Sequence, residues 1–207
     1  MKGIGIRSLI QINGQTLLDK QINLINQSIK NCEIIVIIGF EHEKIIKQFL
    51  NKYENVRFVY NPLYEFNNIG LSIQLGLYNA IFPNILIIYG DLLFSKTYLL
   101  NIIGDKSKLL FNSNTEPDGD AIGGIITQNK ATNLGYGLSP RWDQIIYLTG
   151  KEKQIIMNLV YGDKIKKMFG FEIINYIIEQ GGNFTPRISK EEIMEIDSMM
   201  DYNEVIK

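Results

Sequence analysis

The chain has 207 residues, 45% apolar and 21% charged, with a formal net charge of −1, which fits one domain over residues 1–207 with a substantial core. With no basic block, the near-neutral balance excludes nucleic acid and anionic membrane surfaces as principal partners. The single cysteine, Cys32, precludes an internal disulfide and fits a reducing compartment; with no apolar run of the roughly 18 residues a bilayer span needs and no signal-peptide pattern at the start, a cytoplasmic protein is expected.

Leu18, Ile22, Ile25 and Ile29 recur at helical spacing and predict a helix over 15–30. Residues 33–39, Glu-Ile-Ile-Val-Ile-Ile-Gly, predict a strand buried on both faces and closed by glycine. The pair then repeats: helix over 41–51, strand over 56–61, helix over 70–81, strand over 85–89. Strands separated by helices of this length imply βαβ units, and so an α/β fold with a doubly wound, mostly parallel sheet and helices on both faces. The second half is less regular. Strands are predicted over 108–112 and 120–127, a hairpin over 136–149, a long helix over 164–180 stopped by Gly181-Gly182, and a last strand over 192–196.

Two segments carry the chemistry. Ile87-Ile-Tyr-Gly-Asp91 and Glu195-Ile-Asp197 each place an aspartate at the end of an apolar strand, where open α/β sheets bind ligands. Two such carboxylates can hold a hard divalent cation, Mg2+ above all, against phosphate oxygens, provided that Asp91 and Asp197 converge in space.

Four pieces in register resemble a known family. Ser8 to Leu18, Asn61-Pro-Leu-Tyr64 with Asn67-Asn68-Ile-Gly-Leu-Ser72, Tyr89-Gly-Asp91, and Glu195-Ile-Asp197 with Asp201 are similar, in order, to motifs of the nucleotidyltransferases that act on sugar phosphates or phosphocholine. The resemblance implies a GT-A-like fold and transfer of an NMP from an NTP, a pyrimidine nucleotide favoured by the 67–72 segment, to a phosphorylated small-molecule acceptor with release of pyrophosphate. It further implies Mg2+ held by Asp91 and Asp197, a phosphate contact from Arg7, and nucleotide or acceptor contacts from Asn67 and Asn68.

Members of the family open with a strand and a Gly-rich loop, whereas here Met1 to Ile6 alone precede Arg7, which stands where the family has lysine. Gly3 and Gly5 keep a G-x-G-x-R spacing and are the candidate phosphate-binding glycines. Three accounts of this short segment stay open: a start upstream of Met1, substitution of the loop by Gly3 to Arg7, or loss of catalysis.

The remaining candidates have ordinary structural readings beside the functional ones. Asp201 fits a helix cap as well as a ligand. Tyr136, Trp142 and Tyr147 could cage a quaternary ammonium group or fill a hairpin core. Glu172 fits an acceptor contact or an ordinary helix position, and the run 164–167 a solvated face. His42, the only histidine, cannot build a histidine-rich metal site. Two rival functions are a catalytically silent nucleotide- or sugar-phosphate-binding module, and a GT-A-type glycosyltransferase using Asp118 and Asp120 as its Asp-x-Asp pair.

Overall fold

The computed structural model describes residues 5–114 and 119–206. Asn13 and Gly14, both at positive φ (51° and 78°), make the two-residue turn between strands β1 (Gln11–Ile12) and β2 (Gln15–Thr16), a turn geometry that asparagine and glycine accept with little strain. Thr16 then caps helix α1 (Leu17–Ser28) by accepting from the Asp19 N–H at 3.1 Å. The next elements follow the predicted alternation: β3 (Ile34–Ile38), α2 (His42–Phe49), β4 (Val56–Tyr60), α3 (Ile69–Asn79), β5 (Ile85–Ile88).

Beyond β5 come β6 (Leu92–Phe94), β7 (Lys108–Asn112), β8 (Ile122–Thr127), β9 (Lys130–Tyr136), β10 (Arg141–Leu148), α4 (Gly150–Val160), α5 (Gly170–Glu179), β11 (Thr185–Ser189), β12 (Ile193–Glu195) and α6 (Met199–Val205). In the largest sheet β11 pairs parallel to β7, while β10 runs antiparallel to β5, β7 and β8. Strands β5, β7, β8 and β11 therefore share one direction, with β10 inserted against them. β3 and β4 form a parallel pair of their own, and β6 pairs antiparallel with β12. The result is an α/β protein built around a central sheet.

Alternation along the strands sends side chains to two apolar layers, as period-two geometry requires. Ile85 and Ile87, Leu109 and Phe111, and Ile146 and Leu148 join the layer that contains α3, α4 and α5. Leu86 and Ile88, Leu110, and Ile145 and Tyr147 join the layer that contains α1 and residues 92–102. Both faces of the sheet are thus covered, which is why its strands read as continuous apolar runs.

Several parts of the second half differ from the sequence expectation. The hairpin lies earlier than 136–149: β8 and β9 pair across Gln128 and Asn129, both at positive φ, and residues 141–148 form one long strand with a register shift between Trp142 and Ile146. The helix expected over 164–180 is two pieces, a 3-10 turn at Lys164–Lys167 and then α5. The N-terminus of α3 breaks it, because Asn68 N donates to Lys166 O at 3.2 Å and Gly70 N to Met168 O at 3.1 Å, taking carbonyls that a continuous helix would use. A Cβ at Gly70 would lie 1.8 Å from Ile165 O, so the joint requires glycine. Helix α4 and strands β6 and β11 were not foreseen.

Asp143, buried on β10, accepts from Tyr98 OH at 2.6 Å, and its Oδ1 has no hydrogen-bond partner. Burial pushes its carboxyl up from 3.8 to about 6, against the opposing pull of Tyr98 and Arg141. A raised folded-state pKa contributes stability that is complete below pH 3.8 and lost as pH rises through about 6, and two units correspond to ~3 kcal/mol. We expect the unfolding free energy of Asp143→Asn, relative to the parent chain, to improve by up to about 3 kcal/mol between acid and neutral pH. Denaturant titrations across that range check it, and a pH-independent difference would remove burial as the governing effect.

Candidate metal and phosphate site at the carboxyl end of the sheet

Strand β5 ends at Ile88, and Tyr89-Gly90-Asp91 turns the chain into β6. That turn is held from α1 by the buried Gln21, whose Nε2 donates to Tyr89 O at 3.1 Å and Leu92 O at 2.8 Å. Pairing of β6 with β12 sets Glu195 opposite Leu92, and Ile196 N donates to Asp91 O at 2.9 Å. Glu195 and Asp197 are thereby fixed beside Asp91 by backbone hydrogen bonds.

The outcome is a cluster in which one carboxylate oxygen from each of Asp91, Glu195 and Asp197 lies within 4.8 Å of the others. Arg7, at the start of a 3-10 turn (Arg7–Leu9), bridges two of them: its Nη1 is 3.0 Å from Asp91 Oδ2 and 2.7 Å from Asp197 Oδ1. The side chains are graded in exposure, from Asp91 at 17% through Arg7 at 35% to Asp197 at 48%, so the cluster opens to solvent on the Asp197 side.

Electrostatics follow from that geometry. Burial raises the Asp91 carboxyl above its ordinary range, with the Asp197 charge adding to it and Arg7 opposing. Glu195 is pushed up to about 7, by burial first and then by the charges of Asp91 and Asp197. Gln144 reaches Glu195 from β10, its Nε2 donating to Oε2 at 2.7 Å. Gln144 adopts φ 58° within the irregular stretch of β10, and bulges of this kind re-aim a side chain that a regular strand would send elsewhere.

The cluster fits a hard divalent cation. Its donors are carboxylate oxygens, and the Oδ1 of Asp91 is buried without a hydrogen-bond partner. Mg2+ at about 2.1 Å per bond spans about 4.2 Å between opposite ligands, a separation the three oxygens reach with small side-chain adjustments.

Of the residues read from the sequence, the structure brings Arg7, Asp91 and Asp197 together. Gly5 has φ 73° and open space around it, as a tight approach to an anion needs; Gly3 lies outside the described residues. Asn67 and Asn68 are engaged within the fold: the Asn67 amide donates locally to Leu63 O at 3.4 Å, and the Asn68 amide donates across the chain to Lys167 O at 2.6 Å. Asp201 caps α6, its Oδ2 accepting from Asp197 N and Ser198 N at 3.0 and 2.7 Å, and Glu172 caps α5 by accepting from Phe169 N.

Tyr147 and Trp142 fall in different apolar layers, and Tyr147 OH donates to Gly104 O at 2.9 Å, so these two do not share a cage with Tyr136. Instead Trp142 packs edge-on to Tyr89, and Tyr136 to Phe171. His42 lies against Tyr60, with ring centroids 4.0 Å apart and the planes tilted by 30°. Within the run 164–167 the apolar member, Ile165, is buried. Asp120 is exposed, and Asp118 lies outside the described residues. Glu195, Gln144 and Gln21 were not singled out from sequence. Glu195 sits inside the recognised closing segment, but nothing local marks either glutamine.

The fold is that of the nucleotidyltransferases. The cytidylyltransferase for phosphocholine from Streptococcus pneumoniae superposes with a TM-score of 0.77 at 18% identity, over 98% of this chain and 93% of that one. The inositol-1-phosphate CTP transferase of T. maritima does so with a TM-score of 0.77 at 15% identity, over 100% and 88%. No family model and no curated protein matches the sequence.

Replacing Gln21 by leucine removes two donors from buried or part-buried carbonyls that flank Asp91. We expect Gln21→Leu to lower unfolding free energy by about 1–3 kcal/mol, read by denaturant titration; an unchanged midpoint would show that the turn is held without it.

Proposed function

We propose that the chain is a nucleotidyltransferase that transfers an NMP from an NTP to a phosphorylated small molecule, a sugar phosphate or a phosphocholine-like acceptor, with release of pyrophosphate. The observation that carries this reading is the convergence of Asp91, Glu195 and Asp197 with Arg7 at the carboxyl end of the sheet, the place where open α/β folds bind ligands. The fold shared with two transferases named for CTP supports the reading and favours a pyrimidine nucleotide.

In this reaction an acceptor phosphate oxygen attacks the α-phosphorus in line, a new P–O bond forms, and the bond to the bridging oxygen of pyrophosphate breaks. The attacking phosphate is already anionic at neutral pH, so positioning and charge neutralisation do most of the work and no general base is required. Asp91 and Asp197 would hold Mg2+, with Glu195 as a third oxygen donor within reach. The bound ion would neutralise charge on the triphosphate. Arg7, whose planar fork suits phosphate oxygens, would pair with a phosphate on the solvent side. Gln144 keeps the Glu195 carboxylate turned toward its neighbours, and Gln21 keeps the Asp91 turn in place.

The test is pyrophosphate release from each of the four NTPs with Mg2+ and a panel of sugar phosphates and phosphocholine. We expect turnover with at least one pyrimidine triphosphate, and a loss of at least about a hundredfold in Asp91→Asn, of the order seen when a key electrostatic group is removed from an active site, with an unchanged circular dichroism spectrum. Nucleotide binding without turnover would instead establish a silent binding module, and an Asp91→Asn variant with most of its activity would take that residue out of the mechanism.

A further inference from the structure

Arg7 places a guanidinium nitrogen against two of the three carboxylates that would hold a divalent ion. The same nitrogen lies 3.0 Å from Asp91 Oδ2 and 2.7 Å from Asp197 Oδ1, and Arg7 forms no other ion pair among the described residues. Two carboxylates that converge on one point need positive charge there, and a bridging arginine supplies it much as a metal ion would.

We propose that Arg7 is the resident cation of this cluster, that a divalent ion binds by displacing it, and that the released guanidinium is then free to take a phosphate of the incoming nucleotide. This rests on the functional reading above and extends it: Arg7 becomes a positioning residue that links entry of the ion to engagement of the triphosphate. The alternative is that Arg7 favours the ion by holding the two aspartates together. Backbone geometry decides between them. Asp91 and the segment carrying Asp197 are already joined by the Ile196 N to Asp91 O hydrogen bond at 2.9 Å and by the β6–β12 ladder, so removing Arg7 leaves both aspartates in place and takes away only a competing positive charge.

The anchoring of Arg7 fits an exchange made by the side chain alone. Its backbone is fixed in the 3-10 turn, with Ile10 N donating to Arg7 O at 3.1 Å and Ile6 and Leu9 packed against the layer formed by α1, α2 and β3. The side chain is half-buried at the rim, and the ion pairs engage a single terminal nitrogen, which leaves the rest of its fork uncommitted among the described residues.

The experiment measures Mn2+ binding without nucleotide, by electron paramagnetic resonance and calorimetry, to the parent chain, Arg7→Gln, Arg7→Lys and the double variant Arg7→Gln with Asp91→Asn. The proposal expects at least about tenfold tighter binding in Arg7→Gln, a metal-induced rise in melting temperature larger than in the parent, an affinity between the two for Arg7→Lys, and a return to parent affinity or weaker in the double variant. Equal or weaker binding in Arg7→Gln overturns it, and so does tight binding that survives Asp91→Asn. Should Arg7→Gln fail to fold, Arg7→Lys carries the test, with binding no tighter than the parent as the contrary result. Pyrophosphate release by the parent chain is scored separately, so an enzyme that turns over while Arg7→Gln gains no affinity would sink the exchange and leave the transferase reading standing.

Discussion

The carboxyl end of the sheet depends on one constraint: a backbone ladder that forces like charges together. Two unit charges 4 Å apart repel by about 1 kcal/mol in water and by about 4 kcal/mol at the effective dielectric of a protein surface, and three carboxylates meet here within 4.8 Å. The β6–β12 pairing, in register from Leu92 and Glu195 to Phe94 and Ile193, holds them there. Leu92, Phe94, Ile193 and Ile196 are all buried, so pulling the two strands apart would expose apolar surface as well as break hydrogen bonds. Repulsion that cannot be relieved by movement is relieved by a cation, and Arg7 provides one in this structure.

The same constraint orders the electrostatics. Asp91 lies deepest and its carboxyl is raised by burial first; Glu195 is pushed up to about 7, by burial first and then by the two other acids beside it. A site in which acids hold onto protons because they are buried, and then because of their neighbours, is one in which a positive ligand binds with more than surface strength. That property comes from position in the fold and needs no unusual residue type.

Sequence showed the strand-end aspartates because their signal is local: an apolar run, a turn and a carboxylate. It showed the fold from Leu17 to Ile88 for the same reason, since helices and strands alternate at regular spacing there, whereas the short β1–β2 hairpin before them was not read. The second half was less legible where long-range partners override local preference. Residues 164–180 have the apolar spacing of one helix, yet α3 takes the carbonyls of Lys166 and Met168 and stops it. Helix α4 opens with Gly150 and three charged residues, Lys151, Glu152 and Lys153, which mask its start; its apolar stripe, Ile156, Leu159 and Val160, is confined to the second half of the helix. Gln21 and Gln144 act across 68 and 51 residues of sequence, and no window short enough to read as a motif contains both partners.

Gln144 shows why such residues matter to the site. A non-glycine residue held at φ 58° carries backbone strain of order 1 kcal/mol, and glycine would adopt the same conformation freely. Glycine, however, would leave Oε2 of Glu195 without the amide that meets it at 2.7 Å, in a position where burial and two neighbouring acids already work against its charge. The strained glutamine therefore trades local backbone comfort for a neutral donor aimed at the most crowded carboxylate. A cationic donor at that position would neutralise the cluster from the interior side, whereas an amide orients Glu195 and leaves the cluster's negative charge for what enters from solvent.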